Sequence, residues 1–282
     1  MAIQTSNATM TDNRGFLGDL MHRTCPIPKY TYQGKERFLR DFQHELRPPE
    51  SYSEWLVLTN VNKETFDSDF LDSGQHPFSS VSSYDKELQT LILRMAPSQP
   101  HDAAVQEFGE LLRDAITPHG SKLRAYGGAH QMANGCKVPD QVWRPLRLPR
   151  GRELNWPSVA LEVSFSETSS KLMSDIRCWL RGSGGDVKIV FTVDIDRNMP
   201  KIAIEQWVMK MGHPSREQRV EITKTRDSVK ITNHPLQMSF ERVFLCPPST
   251  DGESILSVRG PALQSYAEAI WESQGFKDVE RF

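Results

Sequence analysis

Asp140 and Glu162 are the residues whose types and spacing best suit chemistry. Asp140 closes Val138-Pro139-Asp140. Glu162 sits inside the apolar run Ser158-Val159-Ala160-Leu161-Glu162-Val163-Ser164-Phe165. An ionised carboxylate in such a run is costly unless a cation meets it. If neighbouring strands carry the pair to one sheet edge, both carboxylates reach one ion. Mg²⁺ or Mn²⁺ favours such an oxygen set, completed by water and a substrate phosphate. The ion would activate water and stabilise charge at phosphorus. Glu107 and Glu110, three residues apart on one helix face, are placed to join the cluster. Other readings stay open. Asp140 also suits a strand-end carboxylate after proline, Glu162 a salt bridge to Lys188 or Lys137, and the helix pair a solvated face.

The elements that must position these residues follow from pattern. Leu88, Leu91, Ile92, Leu93 and Met95 read as a strand ending before Pro97. Asp102 starts a helix over about 102–117, with Val105, Phe108, Leu111, Leu112 and Ala115 at helical spacing, stopped by Pro118 and Gly120. Short strands are expected at 122–126, around 136–143 and at 158–165, the last buried on both faces. Ser166 to Ser170 is rich in N-cap residues and opens a helix to about Arg181, with Leu172, Ile176, Trp179 and Leu180 as its stripe. Residues 187–194 are the clearest strand, 201–209 its hairpin partner, and 219–224 and 228–232 weaker strands. A last helix is expected over about 261–273. Trp179 and Trp207 read as core rather than as stacking platforms.

The order α-β-β-β-α-β predicts an α/β fold with one central mixed sheet flanked by helices. Three parts are expected: an irregular N-terminal arm and lead-in over 1–83, a core over 84–212, and a C-terminal extension over 213–282 whose terminal helix packs on the core.

Composition narrows the function classes. With 282 residues the chain is long enough for a real core. Lys and Arg number 34 against 36 Asp and Glu, a net charge of −2, which excludes a polybasic binder. The four cysteines are widely spaced with no C-x-x-C pair, so neither a zinc finger nor a disulfide scaffold is expected. No signal peptide and no membrane-length apolar run is visible. The expected location is intracellular, cytoplasmic or nuclear, without a membrane partner. G-x-S-x-G and the P-loop motif are both missing.

Pro139-Asp140, then Glu162-Val163-Ser164, inside α-β-β-β-α-β, resembles the PD-(D/E)xK nuclease superfamily, within it the restriction endonuclease-like domains of Uma2 type. Pro157 to Trp179, Lys137-Val138-Pro139-Asp140 and Gly185 to Val190 are similar to a group of fungal proteins of that type. The resemblance covers roughly 95–210. It implies a Mg²⁺- or Mn²⁺-dependent nuclease. Asp140, Glu162 and the Val163 carbonyl would hold the ion, with Glu107 or Glu110 as the helix carboxylate. The family's lysine belongs at 164, where this chain has Ser164. Lys171 or Arg177 on the following helix, or Lys188 on the next strand, would replace it.

Between 122 and 153, seven basic residues stand against two acidic ones. Lys137, Arg144, Arg147, Arg150 and Arg152 are the candidate phosphate contacts on nucleic acid. A basic loop that only solvates its surface is the competing reading. Two functions are therefore expected in competition: a metal-dependent nuclease, or a degenerate nuclease fold that binds without cutting.

Overall fold

The computed structural model describes residues 29–44, 55–71, 80–94, 98–119, 123–126, 130–132, 135–152, 154–165, 169–226, 228–248 and 254–276. Its first part runs β1 (Lys29–Thr31), α1 (Lys35–His44), β2 (Trp55–Thr59), α2 (Lys63–Phe66) with a π-helical turn to Leu71, β3 (Ser80–Asp85) and β4 (Thr90–Arg94). Then come α3 (Gln99–Ile116), β5 (Leu123–Tyr126), β6 (His130–Met132), β7 (Gly135–Lys137), β8 (Gln141–Pro145), β9 (Val159–Ser164) and α4 (Ser169–Gly182). The chain continues through β10 (Ile189–Ile195), β11 (Lys201–Lys210), β12 (His213–Lys224), β13 (Val229–Thr232), β14 (Leu236–Ser239), α5 (Phe240–Phe244), β15 (Ile255–Val258) and α6 (Gly260–Ser273).

The central sheet has the order β13-β12-β11-β10-β9-β8-β5. Its middle pair, β9 and β10, is parallel, and the other pairs are antiparallel. With α3 before β5 and α4 between β9 and β10, this is the expected α-β-β-β-α-β order around a mixed sheet. All six residues of β9 are buried, because helices cover both faces. Leu161, Val163, Phe191 and Trp143 pack with α3 and α6. Ala160, Val142 and Val190 pack with Ile176, Trp179 and Leu180 of α4. The N-cap reading at Ser166–Thr168 lies outside the described residues.

The lead-in is not irregular. A second sheet, ordered β1-β2-β4-β3-β7-β6, takes strands from both sides of residue 84. Its core holds Tyr32, Phe38, Leu58, Phe66, Phe70 and Tyr84, with Phe66 stacked on Tyr84 at 4.0 Å between centroids. Strands of three to six residues, paired across long separations, leave little periodicity to read. The expected strand around 136–143 is in fact two strands in two sheets. The chain leaves the second sheet at β7 and enters the central sheet at β8, crossing through Val138, Pro139 and Asp140.

Candidate functional site

The crossing delivers one charge on each side. Lys137 ends β7 and Asp140 precedes β8. The β8–β9 ladder starts at Gln141 opposite Leu161, and Asp140 lies just before it. The Asp140 carboxylate accepts the Val163 N–H at 2.7 Å. Its other oxygen lies 3.2 Å from His101 Nε2, and His101 Nδ1 is 3.3 Å from Asp102. His101 is 3% exposed and lies in the first turn of α3, where Ser98 caps its N–H.

Glu162 turns to the other helix. One oxygen accepts the indole N–H of Trp179. The second lies 3.4 Å from Lys137 Nζ, which is also 3.0 Å from Asp175 Oδ1 on α4. All three charged side chains are at most 4% exposed. A buried ammonium is thus held between two buried carboxylates, an arrangement that survives only with close pairing.

The two acids expected to share one ion take different partners. Asp140 takes its helix partner from α3 and Glu162 from α4, which cover opposite faces of the sheet. Each of the four carboxylate oxygens already faces a hydrogen-bonding group or cation. Among the described residues, no three His, Cys, Asp or Glu side chains are grouped so as to hold a metal ion. The donor set as placed does not fit a hard divalent cation.

The other predicted residues fall as follows. α3 does reach the acid pair, but through His101. Glu110 pairs instead with Arg113 at 2.6 Å, and Glu107 is half-buried on α3. A cation on Glu162 comes from Lys137, one of the two salt-bridge partners the sequence offered. Lys188 donates to the Gly185 carbonyl at 2.6 Å. Arg177 is half-buried on α4, and the Lys171 side chain lies outside the described residues. The Val163 side chain is buried, and its amide is committed to Asp140.

The basic loop divides. Lys137 is sealed inside and reaches no phosphate. Arg144 lies over the Tyr126 ring at 4.4 Å and donates to its hydroxyl, which holds that phenol below its usual range. Arg152, with a side chain 8% exposed, is tied to Asp186 and the Pro157 carbonyl, and burial lowers its pKa. Arg147 and Arg150 are exposed.

Two residues beyond Glu162, Ser164 pairs with Asp194 of β10 and hydrogen-bonds it. Desolvation by the surrounding wall holds the Asp194 carboxyl above its ordinary range, although its side chain is accessible. A raised folded-state pKa stabilises the protein in acid and loses that contribution as pH rises through it. Asp194→Asn should therefore raise Tm more at about pH 7 than at about pH 3, where the carboxyl is protonated in either state. An equal shift at both pH values would contradict this.

No family model matches the chain, and no curated protein matches it. Among solved structures, a candidate nuclease of DUF820 from Anabaena variabilis is similar at 16% identity, covering 66% of this chain and 90% of that one, with a TM-score of 0.37. At that score the likeness says nothing about the site. The chain's own topology defines its class: an α/β protein with the α-β-β-β-α-β order around a mixed sheet. No helix among the described residues is long and apolar enough to cross a membrane.

Proposed function

We propose that this chain is a nuclease-fold protein that binds nucleic acid without cutting it, its cation position taken by an internal ammonium. One observation carries the reading: Lys137 Nζ sits between Glu162 and Asp175, at 3.4 and 3.0 Å, inside the protein. A divalent ion at Glu162 would have to expel this ammonium or share a buried carboxylate with it. Two like charges so close in a poorly hydrated site repel strongly. The phosphate-facing surface is then the exposed part of the basic loop, Arg147 and Arg150, with Arg124 on the edge strand β5.

A second reading has its own support. Asp140 holds the amide of Val163, the residue after Glu162, and the glutamate carries an ammonium. That restores the acid, acid and lysine composition which Ser164 breaks, and favours Mg²⁺-dependent phosphodiester hydrolysis.

Calorimetric titration with Mg²⁺ and Mn²⁺ separates the two, run on wild type beside Glu162→Gln. Plasmid incubation beside Asp140→Ala and a gel shift with duplex DNA complete it. The first reading expects no saturable metal heat to millimolar concentration and no cleavage above Asp140→Ala. It also expects a salt-sensitive shift weakened by Arg147→Ala with Arg150→Ala. Metal binding lost in Glu162→Gln, with cleavage lost in Asp140→Ala, would install the second reading.

A further inference from the structure

A cavity of about 310 Å³ lies between α4 and the face of the central sheet over β9 to β12. Its helix wall is apolar, made by Leu172, Met173 and Ile176. The sheet wall is polar because successive strands present it in register. Thr192 pairs with Glu205, and Glu205 with Arg219, so these side chains share one face. Ser164 and Asp194 form the neighbouring row.

Glu205 organises the mouth. One of its oxygens holds Arg216 at 2.7 Å and Arg219 at 2.5 Å, and the other accepts the Trp207 indole N–H at 3.1 Å. Arg219 also reaches Glu221 at 3.2 Å. Each guanidinium has five N–H donors in a rigid fork, and these contacts use only one or two of them. The two arginine side chains are 50% and 37% exposed, so their unspent donors face the mouth.

Deeper in, Ser164 and Thr192 are nearly sealed, at 2% and 1% exposure. They offer hydroxyls at the floor, and Trp207 offers an aromatic surface on the sheet wall. At about 30 Å³ per water the cavity has room for about ten such groups, the size of one fused heterocycle. A single amino acid or bare anion would leave the apolar wall wet. A longer apolar chain would lay hydrocarbon against the Thr192 hydroxyl and the Asp194 carboxyl and strip water from them.

We propose that this cavity binds a nucleoside monophosphate, with its base between Met173, Ile176 and Trp207 and its phosphate on Arg216 and Arg219. The base edge meets Ser164, Thr192 and Asp194, and the arginine fork meets the phosphate in the two-pronged geometry it favours. Desolvation makes Asp194 hold its proton more tightly, which softens its repulsion of the incoming anion. The same chemistry is offered by a free mononucleotide or by the phosphorylated end of a strand. The inference goes beyond the nucleic-acid reading above and does not use Lys137, Glu162, Arg147 or Arg150.

Calorimetry on the full chain with AMP, GMP, inorganic phosphate, adenosine and a 5′-phosphorylated oligonucleotide tests it. At least one nucleotide should saturate, at least tenfold tighter than phosphate or adenosine alone. Arg219→Gln should weaken it at least tenfold, and Met173→Trp, which fills the apolar side, should abolish it. An oligonucleotide without a 5′-phosphate should not compete with the bound mononucleotide, which separates this site from the basic loop. Saturation by the oligonucleotide but by no mononucleotide, lost without its 5′-phosphate and in Arg219→Gln, assigns the strand end as ligand and supports the site. Phosphate binding as tight as any nucleotide, no saturation by any mononucleotide or by the 5′-phosphorylated strand, or unchanged affinity in both cavity variants overturns it. The wild-type titration decides even if a variant folds poorly.

Discussion

Lys137→Met should lower stability by about 3–5 kcal/mol, the usual cost of removing one partner from a buried ion pair. Two carboxylates, Glu162 and Asp175, would then be left inside without their ammonium. In Tm the loss is about 6–20 °C, at roughly 2–4 °C per kcal/mol for a chain of this order of size. The effect should depend on pH in a definite direction. Without the lysine, a buried negative charge is left uncompensated, so the variant should lose less stability in mild acid than near neutral pH. Replacing Glu162 and Asp175 by leucine in the same variant should recover much of the loss, since well-packed apolar groups often substitute for buried ion pairs. A thermal melt of Lys137→Met within a degree of wild type would show that the ammonium is not what holds the acids.

The same cluster shows where the sequence is legible and where it is not. β9 and β10 are visible as apolar runs because both their faces are covered, and Glu162 stands out against that background. The need for a cation at Glu162 follows from burial alone. Its source is narrowed by sequence only to Lys188 or Lys137. Lys137 reaches Glu162 because β7 belongs to one sheet and β8 to another, and no local period encodes a crossing between sheets. The short strands that build the second sheet are themselves hard to see. His101 is a different case. It extends the buried stripe of Ala104, Phe108, Leu111 and Ala115 by one turn, so helical spacing from Phe108 backwards would have found it. Glu107 and Glu110 fall off that stripe, and both are only half-buried.

The loop arginines carry a related lesson. A run of basic residues among prolines looks like a phosphate surface. Yet Arg144 and Arg152 are used as struts, one over Tyr126 and one on Asp186. Charge counted along the chain overstates the field at the surface whenever long side chains bury their stems and spend their donors on nearby carbonyls. Only the exposed remainder contributes to nucleic-acid attraction, which is why the proposed binding is expected to be sensitive to salt.

Trp179 tests the other half of the anchoring. The residue is fully buried on α4, packs edge-on to Trp156 at 6.3 Å between ring centroids, and donates its indole N–H to Glu162. Packing and hydrogen bonding can be separated by two variants. Trp179→Ala removes both and should cost about 3–5 kcal/mol, through lost apolar burial and the cavity left behind. Trp179→Phe keeps most of the ring volume but deletes the donor. It should still cost about 1–3 kcal/mol, because one oxygen of a buried carboxylate loses its partner. In a Lys137→Met background Trp179→Phe should cost more than in wild type, since Glu162 would then lack both groups, and a double-mutant cycle reads that coupling directly. If denaturant melts show Trp179→Phe as stable as wild type, the indole is only core packing. Lys137 would then orient Glu162 without its help, and the glutamate could turn towards Asp140 at little cost. That outcome would reopen the shared ion pocket and shift the balance towards hydrolysis.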